Sequence, residues 1–319
     1  MEGRAGATRR DVLVAIGAAF SGIAAAGGQP AAVPAGSADF TDRWSEMLAY
    51  LKLRARTDDG DAWLWFFGSL ELMVPGRKAV RLADLDGLNV RRVKRERSPA
   101  GEERFRKALW EAVVFSNPAT GAIADLIRNP FNGRDVHPHH YREGPTHYVI
   151  DRLGRHIVPG PDAEPRPLSP AEARAAFPIE WKRSGDEVWV ERTDHLDVVN
   201  PLQPAEWPLE SSGERRQDVI NLTLHGRWSQ ATDRRPGMAP ADYSFTAVTA
   251  WLPWMLMGQS TGQVLYRAVG RKLDSLDELP TVVRAKFAAR HAPLLAEKLW
   301  SGKRSVFQDY LRERKPEQP

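Results

Sequence analysis

Between residues 63 and 74 side-chain character alternates with a period of two, the repeat of a strand whose faces meet different surroundings. One face carries Leu64, Phe66, Gly68, Leu70, Leu72 and Val74 and reads as a core stripe. The other carries Trp63, Trp65, Phe67, Ser69, Glu71 and Met73, an aromatic face with a carboxylate in it, which suits the wall of a ligand cavity. Similar segments return at 89–97, 104–115, 122–128, 134–140, 146–151, 187–192, 218–230, 243–252 and 263–269. Clusters such as Ser98-Pro99-Ala100-Gly101 and Asn117-Pro118-Ala119-Thr120-Gly121 separate several of them. Short strands at this spacing predict a mainly β fold: an antiparallel barrel or strongly curved sheet, lipocalin-like, of the kind that encloses one small ligand.

Helices are expected at both ends. Trp44, Met47, Leu48 and Leu51 recur at helical spacing, whereas the alternation of Lys52, Leu53, Arg54, Ala55 and Arg56 reads as extended. Near the C-terminus, Ser275 with Glu278 forms a capping-box pattern, followed by Val282, Val283, Phe287, Leu294, Leu295 and Leu299. Residues 39–319 are expected to form a single domain. The chain has no cysteine, which excludes disulfides, thiolate metal sites and cysteine nucleophiles. Eleven tryptophans and eleven phenylalanines supply core instead.

Residues 1–38 have a different logic. Arg9 and Arg10 precede a run of small apolar residues at 14–26 and then a Gly/Pro/Ala-rich spacer. This is the layout of a twin-arginine export signal, so the twin-arginine translocation machinery is the expected partner and the periplasm or exterior the expected location. The apolar run is too short for a stable membrane span after processing. Net charge is +4, and three arginines against two acids in the leader leave about +3 for the rest. The charged stretch 91–107 mixes both signs and reads as a solvated hairpin, so no nucleic-acid partner is expected.

The chain resembles a bacterial family catalogued as domain of unknown function 1838. The resemblance rests on Asn117-Pro118-Ala119-Thr120-Gly121, Arg128-Asn129-Pro130-Phe131-Asn132-Gly133, Leu51-Lys52-Leu53-Arg54, Trp251-Leu252-Pro253-Trp254-Met255, and Gly270-Arg271-Lys272-Leu273 with Leu279-Pro280, in that family's order. It implies a domain covering most of 45–295 and an export signal, and supplies no reaction.

Candidate chemistry concentrates between 111 and 147. Glu111 shares a strand face with Leu109, Val113 and Phe115, and Asp125 one with Ile123, Ile127 and Asn129. A carboxylate in an apolar stripe needs a partner, here Arg54, Arg92, Lys94 or Arg128, and desolvation shifts it toward general acid–base use. His137, His139, His140 and His147 make half of the eight histidines; His139, His140 and His147 are the candidate proton carriers. Their spacing completes no familiar metal motif, and neither metal nor cofactor is assigned. Arg54, Arg128 and Asn129 are candidate ligands for a substrate oxygen, with Trp63, Trp65, Trp251 and Trp254 as an aromatic pocket wall. Phosphate loops, nucleophile elbows and dinucleotide fingerprints are absent from the sequence. The expected function is an exported, cofactor-independent enzyme of isomerase, hydratase or lyase type acting on a hydrophobic or aromatic small molecule. The alternatives are a periplasmic carrier for such a ligand, without turnover, and a metal-dependent oxygenase.

Overall fold

The computed structural model describes residues 40–296 and 299–317; the export signal expected at 1–38 lies outside them. A helix comes first: α1 (Arg43–Arg54). Then follow β1 (Gly60–Met73), β2 (Val80–Arg97), β3 (Glu103–Ser116), β4 (Ile127–Arg128), β5 (Asp135–Val136), β6 (Arg142–Ile150) and β7 (Arg155–Val158). After α2 (Pro170–Ala176) come β8 (Glu180–Ser184), β9 (Glu187–Val199), β10 (Arg215–Arg227), the short α3 (Trp228–Ala231), β11 (Asp242–Thr249) and β12 (Gln263–Leu273). The chain closes with α4 (Thr281–Leu295) and α5 (Val306–Glu313).

Ten strands make one antiparallel sheet in the order β7-β6-β3-β2-β1-β12-β11-β10-β9-β8, curled into a half-barrel. The mainly β expectation holds, with helices at both ends. The curl is driven by unequal faces. Phe66 on β1 sits opposite Gly87 of β2 and Gly270 of β12. A Cβ on Gly87 would lie 1.9 Å from the Phe66 ring, and one on Gly270 2.2 Å from the Trp65 carbonyl oxygen. Glycine on either side thus gives a large ring room on the concave face.

Helix α1 fills that trough. Asp42 caps it by accepting from the Ser45 amide at 2.8 Å, and Glu46 sits in its positive first turn. Every side chain from Ala49 to Arg54 is buried, because sheet surrounds the helix where solvent would normally face one side. Its apolar groups join Leu64, Phe66, Leu70, Leu85, Phe115, Leu222 and Tyr243 in the larger core. Lys272 of β12 fastens the exit, donating to the carbonyls of Lys52 at 2.5 Å, Ala55 at 3.1 Å and Leu53 at 3.2 Å. The extended reading of 52–54 is therefore corrected: these residues are the last turn of α1, held there by sheet contacts that propensity does not register.

A second core lies on the convex face, where Leu88, Val90, Trp110 and Val114 pack beneath Val283 and Phe287 of α4. Trp63 and Trp65 belong to this layer. The aromatic face of β1 is thus a seat for α4, and the core stripe of β1 is the concave one. The strands expected at 122–128 and 134–140 reduce to the two-residue pair β4–β5, because Asn129 and Asn132 spend their amides on the carbonyls of Met255 and Leu256.

Replacing Gly87 by Ala should drive a methyl group into a ring that is 1% exposed. The expected cost is about 1–3 kcal/mol, read by denaturant unfolding; an unchanged midpoint would refute this account of the curl.

Candidate functional site

The concave face of β2 and β3 carries polar groups where the trough is deepest. Asn89 and Glu111 face one another across the two strands. The Asn89 amide donates to Glu111 Oε2 at 2.5 Å, and the Tyr141 hydroxyl donates to Oε1 at 3.4 Å. Two residues along β2, on the same face, Arg91 Nη2 donates to Asn89 Oδ1 at 2.8 Å. Glu111 is 3% exposed. Burial raises its carboxyl to about 7, and the pulls of Asn89, Arg91, Arg54 and Tyr141 in the other direction do not cancel that.

Glu143 of β6 is the cross-strand partner of Glu111, at the point where the β3–β6 register shifts. Its Oε1 accepts from the Val306 amide at 2.7 Å, at the start of α5. Burial lifts this carboxyl to about 8; the Val306 bond opposes the shift and the charge of Glu111 adds to it. Two buried carboxyls pushed upward in one compartment retain a proton between them near neutrality.

Both line a small chamber of about 70 Å³. Tyr141, Tyr266, Phe245, Leu252, Trp254 and the Arg216–Asp218 pair form its walls, and Val306, Phe307 and Tyr310 of α5 form its cover. Arg216 lies 3.5 Å from Asp218 and 4.4 Å from the centre of the Phe307 ring. The cover is anchored: Gly144 and Arg304 exchange backbone hydrogen bonds of 3.1 and 2.8 Å, and buried Asp309 pairs with Arg142, Arg304 and Arg312.

The structure brings some of the sequence candidates to this compartment. Glu111 and Trp254 line it, whereas Arg54, at the end of α1, acts on Glu111 from outside the chamber, its guanidinium 5.4 Å from the Tyr243 ring centre. Others lie elsewhere. Trp63 and Trp65 are on the convex layer, where the Trp65 indole donates to Asp86 at 3.3 Å. Trp251 is buried and donates to the Ser260 carbonyl at 2.7 Å. Asp125 is exposed on a loop and ion-paired with Arg290, so it occupies no apolar strand stripe. Arg128 is exposed and pairs with Asp135 at 3.2 Å, whereas Asn129 is fully buried as a tie to Met255.

The histidines scatter. His140 Nδ1 accepts from the Phe115 amide at 3.0 Å, and burial holds its imidazole down to about 4. His139 lies edge-on to Tyr310, 3.9 Å from Glu313. His147 is half-buried, and burial and Lys303 lower it. His137 Nδ1 donates to the Asp125 carbonyl at 2.8 Å. Among the described residues no group of three His, Asp or Glu side chains could hold a metal ion.

Sequence reading missed Asn89, Arg91, Tyr141, Glu143, Arg216, Asp218 and Tyr266. The signal for Asn89 and Arg91 was present, since they continue the parity of Leu85 and Gly87. The hairpin 91–107 is solvated only in part: Arg91 is fully buried, Lys107 is 3% exposed and Arg104 6%. Of the proposed carboxylate partners, Arg92 instead pairs with Asp61 at 2.8 Å, and Lys94 is exposed. Glu143 precedes Gly144-Pro145 and looks like a turn residue, and nothing local marks the cover.

A half-barrel filled by a helix, with ionisable groups sealed at its deepest point, defines the class of protein. This chain belongs to the family described as Protein of unknown function (DUF1838), which matches residues 59–298. The match runs from β1 through α4 and excludes α1 and the cover α5. No curated protein matches the chain. The solved structure of MucB in complex with MucA(peri) aligns over 72% of this chain and 92% of that one, at 10% identity and a TM-score of 0.14, a likeness that carries no argument. Among the described residues no helix is long and apolar enough to cross a membrane.

Glu143 provides a test of the electrostatics. Its carboxyl binds a proton in the folded chain up to about pH 8, but in the unfolded chain only up to about 4.5. Between those values the native state holds more protons, so this group's contribution to stability declines as pH rises through the window. Glu143→Gln removes the decline. Relative to the parent, its melting temperature should improve steadily between about pH 5 and pH 8.5; a difference independent of pH would place Glu143 in solvent.

Proposed function

We propose that this chain is an exported enzyme that moves a proton on a small, largely apolar molecule, with Glu111 as the general acid–base. The supporting observation is the state of Glu111: fully buried, oriented by Asn89 and Tyr141, open to an apolar chamber and poised near pH 7. A base with that value is deprotonated often enough to accept a proton at neutrality and basic enough to hold it. The neighbouring Glu143, pushed higher still, is the natural donor for the return step. Tyr141 is kept well above its ordinary value, first by burial and then by Glu111, so it stays a neutral donor whose one proton turns from Glu111 to a developing oxyanion once the carboxylate is protonated. Proton abstraction beside a carbonyl, with isomerisation or elimination as the outcome, is the chemistry these groups support. A chamber of about 70 Å³ is smaller than a bound organic molecule needs, so substrate entry requires displacement of α5.

A carrier that holds the same kind of ligand without turnover is the second reading, favoured by the apolar cover of Val306, Phe307 and Tyr310. Export is supported by Arg9 and Arg10 ahead of the apolar run.

Incubating the full-length protein with a pooled small-molecule extract in D2O distinguishes the two readings. The enzyme should introduce deuterium into, or convert, a component of the pool, and Glu111→Gln should slow this by roughly 10²–10⁴-fold. Retention of a ligand that comes back undeuterated and unchanged would favour the carrier. Export is checked separately. Paired Arg9→Lys and Arg10→Lys changes should hold the chain in the cytoplasm, and undiminished export would remove that part.

A further inference from the structure

Beside Glu111 the trough changes from apolar to cationic. Lys107 of β3, Arg91 of β2, Arg54 of α1, Arg155 of β7 and Arg192 of β9 all point into it, and each is buried. All four guanidinium groups are within electrostatic reach of the Lys107 ammonium, which burial and these neighbours hold well below its ordinary value. Asp194, bonded to Arg192, and Glu111, beside Arg91, are the carboxylates that act most strongly on the group. Five buried cations thus stand against these two carboxylates, an arrangement that is costly unless another negative charge is supplied.

The cations lie against rings. Lys107 is 4.3 Å and Arg155 5.2 Å from the centre of Tyr148; Arg155 is 4.0 Å and Arg192 5.4 Å from Phe177. Such contacts hold a guanidinium by its face and fix the plane of its N–H groups. Nε and Nη1 of Arg91 and of Arg192 are fully buried without a hydrogen-bond partner, as is the Tyr50 hydroxyl. Burial would raise the Tyr50 phenol, yet Arg192, Arg54, Arg155 and Arg91 together bring it below its ordinary value, as expected at the focus of a positive field.

The hydrogen-bonded ladder of the sheet is open beside this group. Arg155 and Arg192 approach the same ring, Phe177, from near opposite ends of the sheet. There β7 and β8, the two edge strands, share no backbone hydrogen bonds, and Phe177 packs against Tyr50 of α1.

We propose that Arg91, Lys107, Arg155 and Arg192, gathered around Tyr50, form an oxyanion-binding site that takes the carboxylate or phosphate group of a small organic anion. As a statement about substrate this rests on the Glu111 reading, since Arg91 reaches Glu111 through the single bridge of Asn89; as a statement about binding it does not. Fork-shaped donors match a planar carboxylate or a phosphate, and the charge excess favours one anionic group over any neutral ligand.

The experiment is thermal unfolding of the full-length protein at fixed ionic strength, titrated in separate arms with inorganic phosphate, hexanoate, hexanol and chloride. Phosphate or hexanoate should raise the midpoint saturably, by about 5 °C at roughly a hundredfold excess over half-saturation; hexanol and chloride should not. The arm that responds identifies phosphate or carboxylate as the preferred group. Arg91→Met should weaken the response at least about tenfold. If that variant does not fold, Lys107→Met carries the test, because removing one of several like charges relieves repulsion in the anion-free protein. No saturable response in the parent, or a parental response in the variants, overturns the proposal. Glu111→Gln should keep the anion response whether or not it abolishes proton transfer, so failure of the catalytic reading and failure of this one are separately visible.

Discussion

The structure depends on a helix held inside a curled sheet. Ten antiparallel strands with bulky groups on one face leave a trough that must be filled, and α1 fills it. The two elements require each other. A helix buried on all sides from Ala49 onward cannot persist in water, and a sheet curled around Phe66 encloses a void without it. Lys272 binds them by giving its ammonium protons to the carbonyls of Lys52, Leu53 and Ala55 at the exit of α1, where the Ala239 amide also reaches Lys52. Burial brings that ammonium down to about 7, so the fastening is itself made at an electrostatic cost.

Filling a half-barrel with a short helix also determines where polarity collects. The N-terminal side of α1 meets aromatic and aliphatic groups, as in the stacking of Trp44 on Phe105 at 5.9 Å. The exit of α1 and the neighbouring strands instead carry Arg54, Arg91, Lys107 and Glu111. Glu111 divides this polar zone. On one side lies the apolar chamber under α5, with Glu143 and Tyr141; on the other lies the cation cluster around Tyr50. A carboxyl between a cationic recess and an apolar one experiences desolvation and positive charge together, and its value near 7 reflects desolvation winning by a modest margin.

Much of the architecture was legible in the chain. The parity of β1, the placement of Glu111 with Leu109, Val113 and Phe115, the helices at both ends and the family all follow from residue order. The errors have physical causes. Alternation cannot say which face of β1 looks inward when both are apolar, and α4 claimed the face of Trp63 and Trp65. Density of histidines along the chain is not density in space: His140 spends its nitrogen on the Phe115 amide, and His147 and Glu111 belong to different surroundings. Turn chemistry at Asn129 and Asn132 overrode strand pattern because their amides found carbonyls more than 120 residues away.

By itself, the sequence determined the period-two strands, their antiparallel connection, the absence of thiol chemistry and the choice of Glu111 as a buried carboxyl, since each is a local property of composition or spacing. The tertiary structure alone decided that Glu143 and α5 close over Glu111, that the far strands β7 and β9 bring Arg155 and Arg192 to one ring, and that Lys107 and Arg91 leave the solvated side of their hairpin. Those outcomes depend on the curl of the sheet, and curl is a sum over all ten strands that no single segment encodes.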